Sequence, residues 1–232
     1  MNRLRLDLAR AFARTRDAVL DAWAVVQPVE CLGCGAPDRA ICGDCRAGLR
    51  APQPLRVRCD ADPGVPVIAA ADYDGVVRGA LLALKDDGRT DAARPLAVLV
   101  RAALAVALAR EPPGVEVAWV PSRPAAMRRR GFDPVLEVLL AARLPVSRVL
   151  VASRRARAQK SLGRSDRLAQ ADRFRARRRL DGRRFVLVDD VVTTGATLAA
   201  CAASIRTAGG AVVAGVAACA PDRGRRAMGA VR

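Results

Sequence analysis

Apolar runs punctuated by glycine, proline and charge divide the chain into alternating strand-like and helix-like pieces. Residues 67–73 read as a strand, 76–85 as a helix closed by Asp86-Asp87-Gly88, and 92–110 as an alanine- and leucine-rich helix. Residues 115–120 form the next strand, 134–142 the next helix and 146–151 a short strand. Residues 185–188 (Phe-Val-Leu-Val) are apolar at every position, as a central parallel strand covered on both faces requires. A helix over 197–208, with Thr197 as N-cap and Gly209-Gly210 as its stop, and a strand over 211–218 complete the pattern. Strands alternating with helices predict an α/β fold, a mostly parallel sheet flanked by helices.

The same pattern divides the chain into regions. Residues 1–27 read as an amphipathic helix with Leu4, Leu8, Phe12, Val19, Leu20 and Trp23 on its apolar side. Arg10, Arg14, Arg16, Asp17 and Asp21 interrupt it, so a secretory signal is not expected. Packing on the rest of the protein and lying on a membrane surface both suit such a helix, the first better. Residues 28–50 carry four cysteines, and 51–66, with Pro52, Pro54, Pro63 and Pro66, read as a linker. The α/β domain is expected over 67–220, followed by a basic tail at 221–232. Residues 153–184 are strongly basic with few apolar positions; a loop near 159–163 and a helix over 164–175 are expected there, as a mobile flap or a solvated basic surface. Arg101 interrupts the longest apolar helix, so no membrane span is predicted.

Composition changes this picture in two places. The formal charge of +17 suggests a polyanionic partner such as DNA, but all basic residues except Lys85 and Lys160 are arginine in an Ala-, Val- and Gly-rich chain, which fits a genomic bias equally well. The 232 residues contain no histidine, which removes Ser–His–Asp and Cys–His catalysis. Hydrophobic residues make up 52% of the chain, enough to build a core.

Three stretches carry chemistry. Cys31-Leu32-Gly33-Cys34 and Cys42-Gly43-Asp44-Cys45 are two C-x-x-C pairs suited to a tetrahedral structural zinc site, with disulfides as the alternative. The lack of an export signal favours a reducing cytoplasm and hence metal. Cys59 stands alone, and Cys201 and Cys219, in apolar surroundings, read as buried, inert thiols. Asp189 and Asp190 follow the central strand and precede Val192-Thr193-Thr194-Gly195-Ala196-Thr197. Backbone N–H groups of a glycine-bearing turn at a helix N-terminus suit a phosphate, and carboxylates at a strand's carboxyl end suit sugar hydroxyls and a hard cation such as Mg²⁺. Ser122, Arg123, Arg130 and Gly131 lie in a basic run after the 115–120 strand, a second anion-binding candidate. Lys85 is a weaker candidate for that work; a surface lysine at its helix end is the plainer reading.

The strand, acidic pair, TTGAT turn and helix together resemble the phosphoribosyl-diphosphate (PRPP) loop of the type I phosphoribosyltransferases. The resemblance implies that Asp189 and Asp190 hold the ribose hydroxyls and that Val192–Thr197 wrap the 5-phosphate. The wider order, four cysteines, "ALLALKDDG", "WVPSRPAAMRRRGF", a basic segment and "VLVDDVVTTGATL", resembles the ComF family of zinc-ribbon proteins with a phosphoribosyltransferase-like domain. That resemblance implies a cytoplasmic protein with structural Zn²⁺ and Mg²⁺–PRPP, linked to uptake of transforming DNA and to DNA or competence-protein partners. The family's second cysteine quartet is missing, Asp133-Pro134 stands where it usually has Asn-Gln, and Ala171 to Phe174 lack its usual asparagine. Two functions compete: phosphoribosyl transfer to an unknown acceptor, and a non-catalytic module binding PRPP or nucleotide together with DNA or protein.

Overall fold

The structure, a computed structural model, describes residues 30–37, 39–49, 54–62, 64–153, 173–221 and 225–226. The helix expected over 1–27 and residues 154–172 of the expected basic flap lie outside them. Among the described residues a six-stranded sheet forms the centre, in the order β3 (Val115–Trp119), β6 (Arg184–Val191), β7 (Ala211–Cys219), β2 (Val67–Ala69), β1 (Leu55–Val57), β8 (Arg225–Arg226). The first four are parallel; β1 runs antiparallel to β2, and β8 antiparallel to β1.

Alternation along β6 explains why this strand is central. Val186 and Val188 face a core shared with α2 (Gly75–Lys85), α3 (Ala93–Leu108) and α5 (Pro134–Ala141). Phe185 and Leu187 face a second core shared with α6 (Ala196–Thr207). All four are 0% exposed, and burying each side chain contributes about 1.5–3 kcal/mol. Helix α2 supplies Val77, Ala80, Leu81 and Leu84, the spacing of a single helical face.

The structure departs from the sequence pattern at several points. Within the expected linker, β1 pairs with β2 and lengthens the sheet, so 51–66 is not all connecting chain. Arg225 and Arg226, expected in a basic tail, form β8. The strand expected at 146–151 is split: Val146 makes a single parallel bridge to Val117, while β4 (Leu150–Ala152) pairs antiparallel with β5 (Phe174–Ala176). β5 replaces the end of the helix expected over 164–175. Its Phe174 side chain is buried, and the Ser204 hydroxyl of α6 donates to the Phe174 carbonyl at 2.9 Å. Tertiary packing on α6 overrides the helix propensity of this arginine-rich stretch.

The cysteine-bearing segment, which includes the short helix α1 (Gly43–Leu49), docks on α2. Leu32 and Leu49 join the α2–α3 core, and the Arg89 guanidinium donates to the Glu30 carbonyl at 2.8 Å. Gly79 of α2 sits so close that a Cβ there would lie 1.8 Å from the Leu32 carbonyl oxygen. Helix propensity alone favours Gly79→Ala by about 1 kcal/mol. The contact reverses that sign: urea unfolding should show Gly79→Ala destabilised by about 1–3 kcal/mol.

Candidate functional site

At the carboxyl end of β6 the two acidic residues turn to opposite faces of the sheet. Asp189 lies in register with Ala217, on the α6 side with Phe185 and Leu187, and is 9% exposed. It lies near the Cys201 thiol of α6, which burial pushes up. Asp190 turns toward α2, where its Oδ2 meets Lys85 Nζ at 2.5 Å. Both partners are about a fifth exposed, at 22% and 23%, above a crevice lined by Leu81, Leu84, Val135 and Val138. Lys85 is therefore not the free surface lysine at a helix end that its sequence context suggests. The backbone ties the acids together: Asp190 N–H donates to Asp189 Oδ1 at 2.9 Å, and Val191 N–H to Asp190 Oδ1 at 2.6 Å.

Burial pushes the Asp189 carboxyl up to about 8, aided by the charge of Asp190 and opposed by the Asp190 N–H and the Lys85 ammonium. Burial thus favours the protonated form of Asp189, while Asp190 has Lys85 as counter-ion.

The turn after β6 is only partly open, with Gly195 buried and Thr197 half-buried. Among the described residues, the N–H groups of Thr193, Thr194, Gly195 and Thr197 have no protein acceptor. Thr193 and Thr194 are exposed, and the Thr194 hydroxyl accepts from Ala196 N–H at 3.4 Å. Gly195 is the N-cap of α6 and has φ 76°. Thr197, expected as the cap, lies one residue inside the first turn; the left-handed bend at Gly195 starts the helix earlier. Val192 is buried and anchors the turn, its N–H donating to Cys219 O at 3.1 Å. Behind Gly195 stands Cys59, whose thiol donates to the Gly195 carbonyl at 3.7 Å. A Cβ on Gly195 would come within 2.3 Å of that sulfur, so the position excludes any side chain both by conformation and by space. Cys59 was legible only as a lone thiol, because its partner is 136 residues away.

The second candidate stretch begins where β3 ends. Ser122 and Arg123 lead into α4 (Pro124–Arg130), which closes at Gly131 with φ 79°. Arg123, Arg128 and Arg129 are exposed. Arg130 is turned inward: its Nε donates to the Lys85 carbonyl at 2.6 Å, and its guanidinium stands 3.9 Å from Asp86. Ser122 N–H is already bonded, to Asp133 Oδ2 at 2.8 Å. The other oxygen of this buried carboxylate caps α5, accepting from Val135 and Leu136 N–H. Asp133, which first stood out as a departure from a family pattern, thus ties the Ser122 turn to α5. Its position ahead of Pro134 at a helix start was the signal for that role.

The four N-terminal cysteines converge. The sulfurs of Cys31, Cys34, Cys42 and Cys45 all lie within 4.8 Å of one another. Zn–S bonds of about 2.3 Å need sulfurs about 3.8 Å apart in a tetrahedron, and Cys34 and Cys42 are already at 3.6 Å. Burial opposes a thiolate at Cys31, but N–H donors from Cys34, Cys42 and Gly33 bring it down to about 6. A Cβ on Gly33 would stand 2.7 Å from Cys45 Sγ, so glycine leaves the sulfur its space. The set fits a closed four-thiolate metal site.

Residues 129–228 match the family model described as the phosphoribosyl transferase domain. The match takes in α5, β6, the 192–197 turn, α6 and β7, and begins after α2, β3 and the cysteine group. No curated protein matches the chain. With the mixed α/β fold, the match makes this region phosphoribosyltransferase-like. Among the described residues no helix is long and apolar enough to cross a membrane.

Two outcomes are expected from this geometry. The folded protein retains on Asp189 a proton that the unfolded chain, with a carboxyl near 3.8, releases. The stability this group contributes is therefore complete below about pH 4 and is lost as the pH rises toward about 8. Urea unfolding from about pH 5 to pH 8 should show falling stability, and Asp189→Asn should flatten the slope. For the cysteine group, metal analysis should find one zinc per chain; Cys45→Ser should lose it and lower the thermal midpoint by about 5–10 °C.

Proposed function

We propose that the protein binds PRPP across the carboxyl ends of β6 and β3 and transfers its phosphoribosyl group to a nucleophilic acceptor. The observation carrying this reading is the set of N–H groups at Thr193, Thr194, Gly195 and Thr197 with no acceptor among the described residues, beside Asp190 and at the head of α6. Four such donors and a helix dipole match the 5-phosphate of a ribose. Val192 and Ala196 hold the turn in place. Asp190, the more open carboxylate, accepts from the ribose hydroxyls; Asp189 orders it through the Asp190 N–H.

In the reaction the C1–oxygen bond to diphosphate breaks, the acceptor's lone pair forms the new bond to C1, and diphosphate leaves. Charge developing on the diphosphate would be met by Arg123 and by the turn from Ser122 to Gly131, once Ser122 N–H is released from Asp133. Mg²⁺ bound with PRPP would supply further neutralisation of the phosphates. The cysteine group would hold Zn²⁺ as a structural clamp. With no histidine in the chain, the acceptor's proton must leave to water, a carboxylate or the substrate itself.

The finer reading is a cytoplasmic, ComF-like role in DNA uptake, with DNA or competence proteins as partners. It is supported by the four-cysteine group preceding the Lys85-bearing helix and the acidic pair, and by the net charge of +17. A non-catalytic module that binds PRPP for regulation is the competing reading, favoured by the existing Lys85–Asp190 pair, which leaves Asp190 already satisfied. Isothermal titration of the full chain with PRPP and magnesium separates them from a chain that binds no PRPP. Asp190→Asn should weaken binding about 10- to 100-fold, and Asp189→Asn less. Diphosphate release during an acceptor screen marks a transferase, whereas tight binding without release marks the module.

A further inference from the structure

We propose that Lys85 is a ligand-binding cation of this site, leaving or sharing Asp190 to take the diphosphate end of PRPP. The proposal rests on the PRPP-binding reading above and adds to it a residue outside the matched family region. Two observations point to it. Lys85 Nζ occupies the open carboxylate of the acidic pair at 2.5 Å. Its own carbonyl is held by Arg130 Nε at 2.6 Å. The lysine therefore spans the space between the ribose end of the site, at Asp190, and helix α4, which carries the basic residues assigned to the diphosphate. A ligand whose sugar lies on Asp190 meets the Lys85 ammonium beside it.

The chemistry of the group suits that position. A lysine ammonium has three donors, so it can retain Asp190 and still donate to a phosphate oxygen. It lies in the last turn of α2, where the helix dipole favours a cation. The apolar crevice formed by Leu81, Leu84, Val135 and Val138 limits water beneath the pair, which strengthens charge interactions there. In the structure the same lysine satisfies Asp190, which would otherwise be a partly buried carboxylate without a counter-ion. The ion pair is thus a resting contact, and the diphosphate is the stronger anion that competes for its cation. Arg130 acts through Lys85 as a positioning residue: it fixes the last carbonyl of α2 and, with Asp86, the direction from which the lysine approaches.

The test compares two ligands that differ only at C1, titrated calorimetrically into the full chain with magnesium. PRPP carries the diphosphate; ribose 5-phosphate does not. Lys85→Met should weaken PRPP about 10- to 100-fold while changing ribose 5-phosphate by less than about threefold. Lys85→Arg should recover most of the PRPP affinity, since it keeps the charge. Equal loss of both ligands in Lys85→Met would overturn the proposal, because the lysine would then be supporting Asp190 or the fold. Unchanged PRPP binding would overturn it as well, while leaving the PRPP reading intact. A wild-type chain that binds neither ligand would overturn both.

Discussion

A carboxylate placed at the end of a strand buried on both faces has few options: it must keep its proton, find a cation, or meet a ligand. The end of β6 uses the first two at adjacent positions. Asp189, on the α6 side, keeps its proton because burial and the neighbouring charge lift it to about 8. Asp190, on the α2 side, remains beside Lys85. The surrounding structure follows from that division. Helix α2 must end where its lysine reaches the sheet, α4 must turn Arg130 inward to hold that end, and α5 must begin close enough for Asp133 to secure the Ser122 turn. At this end of the site the polar groups occupy one another, Lys85 with Asp190 and the Ser122 N–H with Asp133.

Helix α2 also connects two regions that sequence separates. Its N-terminal half lies against the cysteine segment, with Gly79 on Leu32 and Val76 within reach of Gly33. Its last residue is the lysine of the acidic pair. A rigid helix of this length transmits position well, so the four-cysteine group braces the element that carries Lys85. The cysteine group is thereby part of the architecture of the site without contributing an atom to it.

Much of this was legible in the sequence. The fully apolar run 185–188, the acidic pair and the glycine-bearing turn are local signals. Each resides in a few adjacent residues whose physical requirements are strict. The C-x-x-C pairs were legible for the same reason, since a tetrahedron of thiolates leaves little freedom in spacing. What escaped depended on contacts between distant segments. Lys85 looked like an ordinary helix-terminal lysine because nothing near it in sequence marks its approach to Asp190. β1 was hidden among prolines, and its strand character comes from pairing with β2. The 146–151 run was apolar enough for a strand, but Ser147 bonds Glu116 and Val117 and turns the chain away from β3, so pairing resumes at β4 with a different partner. The opposite orientations of Asp189 and Asp190 follow from the period-2 rule of strands, which a reading centred on one shared hollow passes over.

Cys59 sets a limit on how far this fold can be trimmed. It follows β1, upstream of β2 and far ahead of the region that matches the transferase family, yet its sulfur is the backstop of the phosphate-type turn at Gly195. A fragment cut at the first parallel strand would keep every residue assigned to ligand contact and still leave a gap behind the bend that presents them. The smallest portable unit of this protein therefore begins ahead of Cys59, and grafting the matched region alone into another scaffold would transfer the turn without the wall that shapes it.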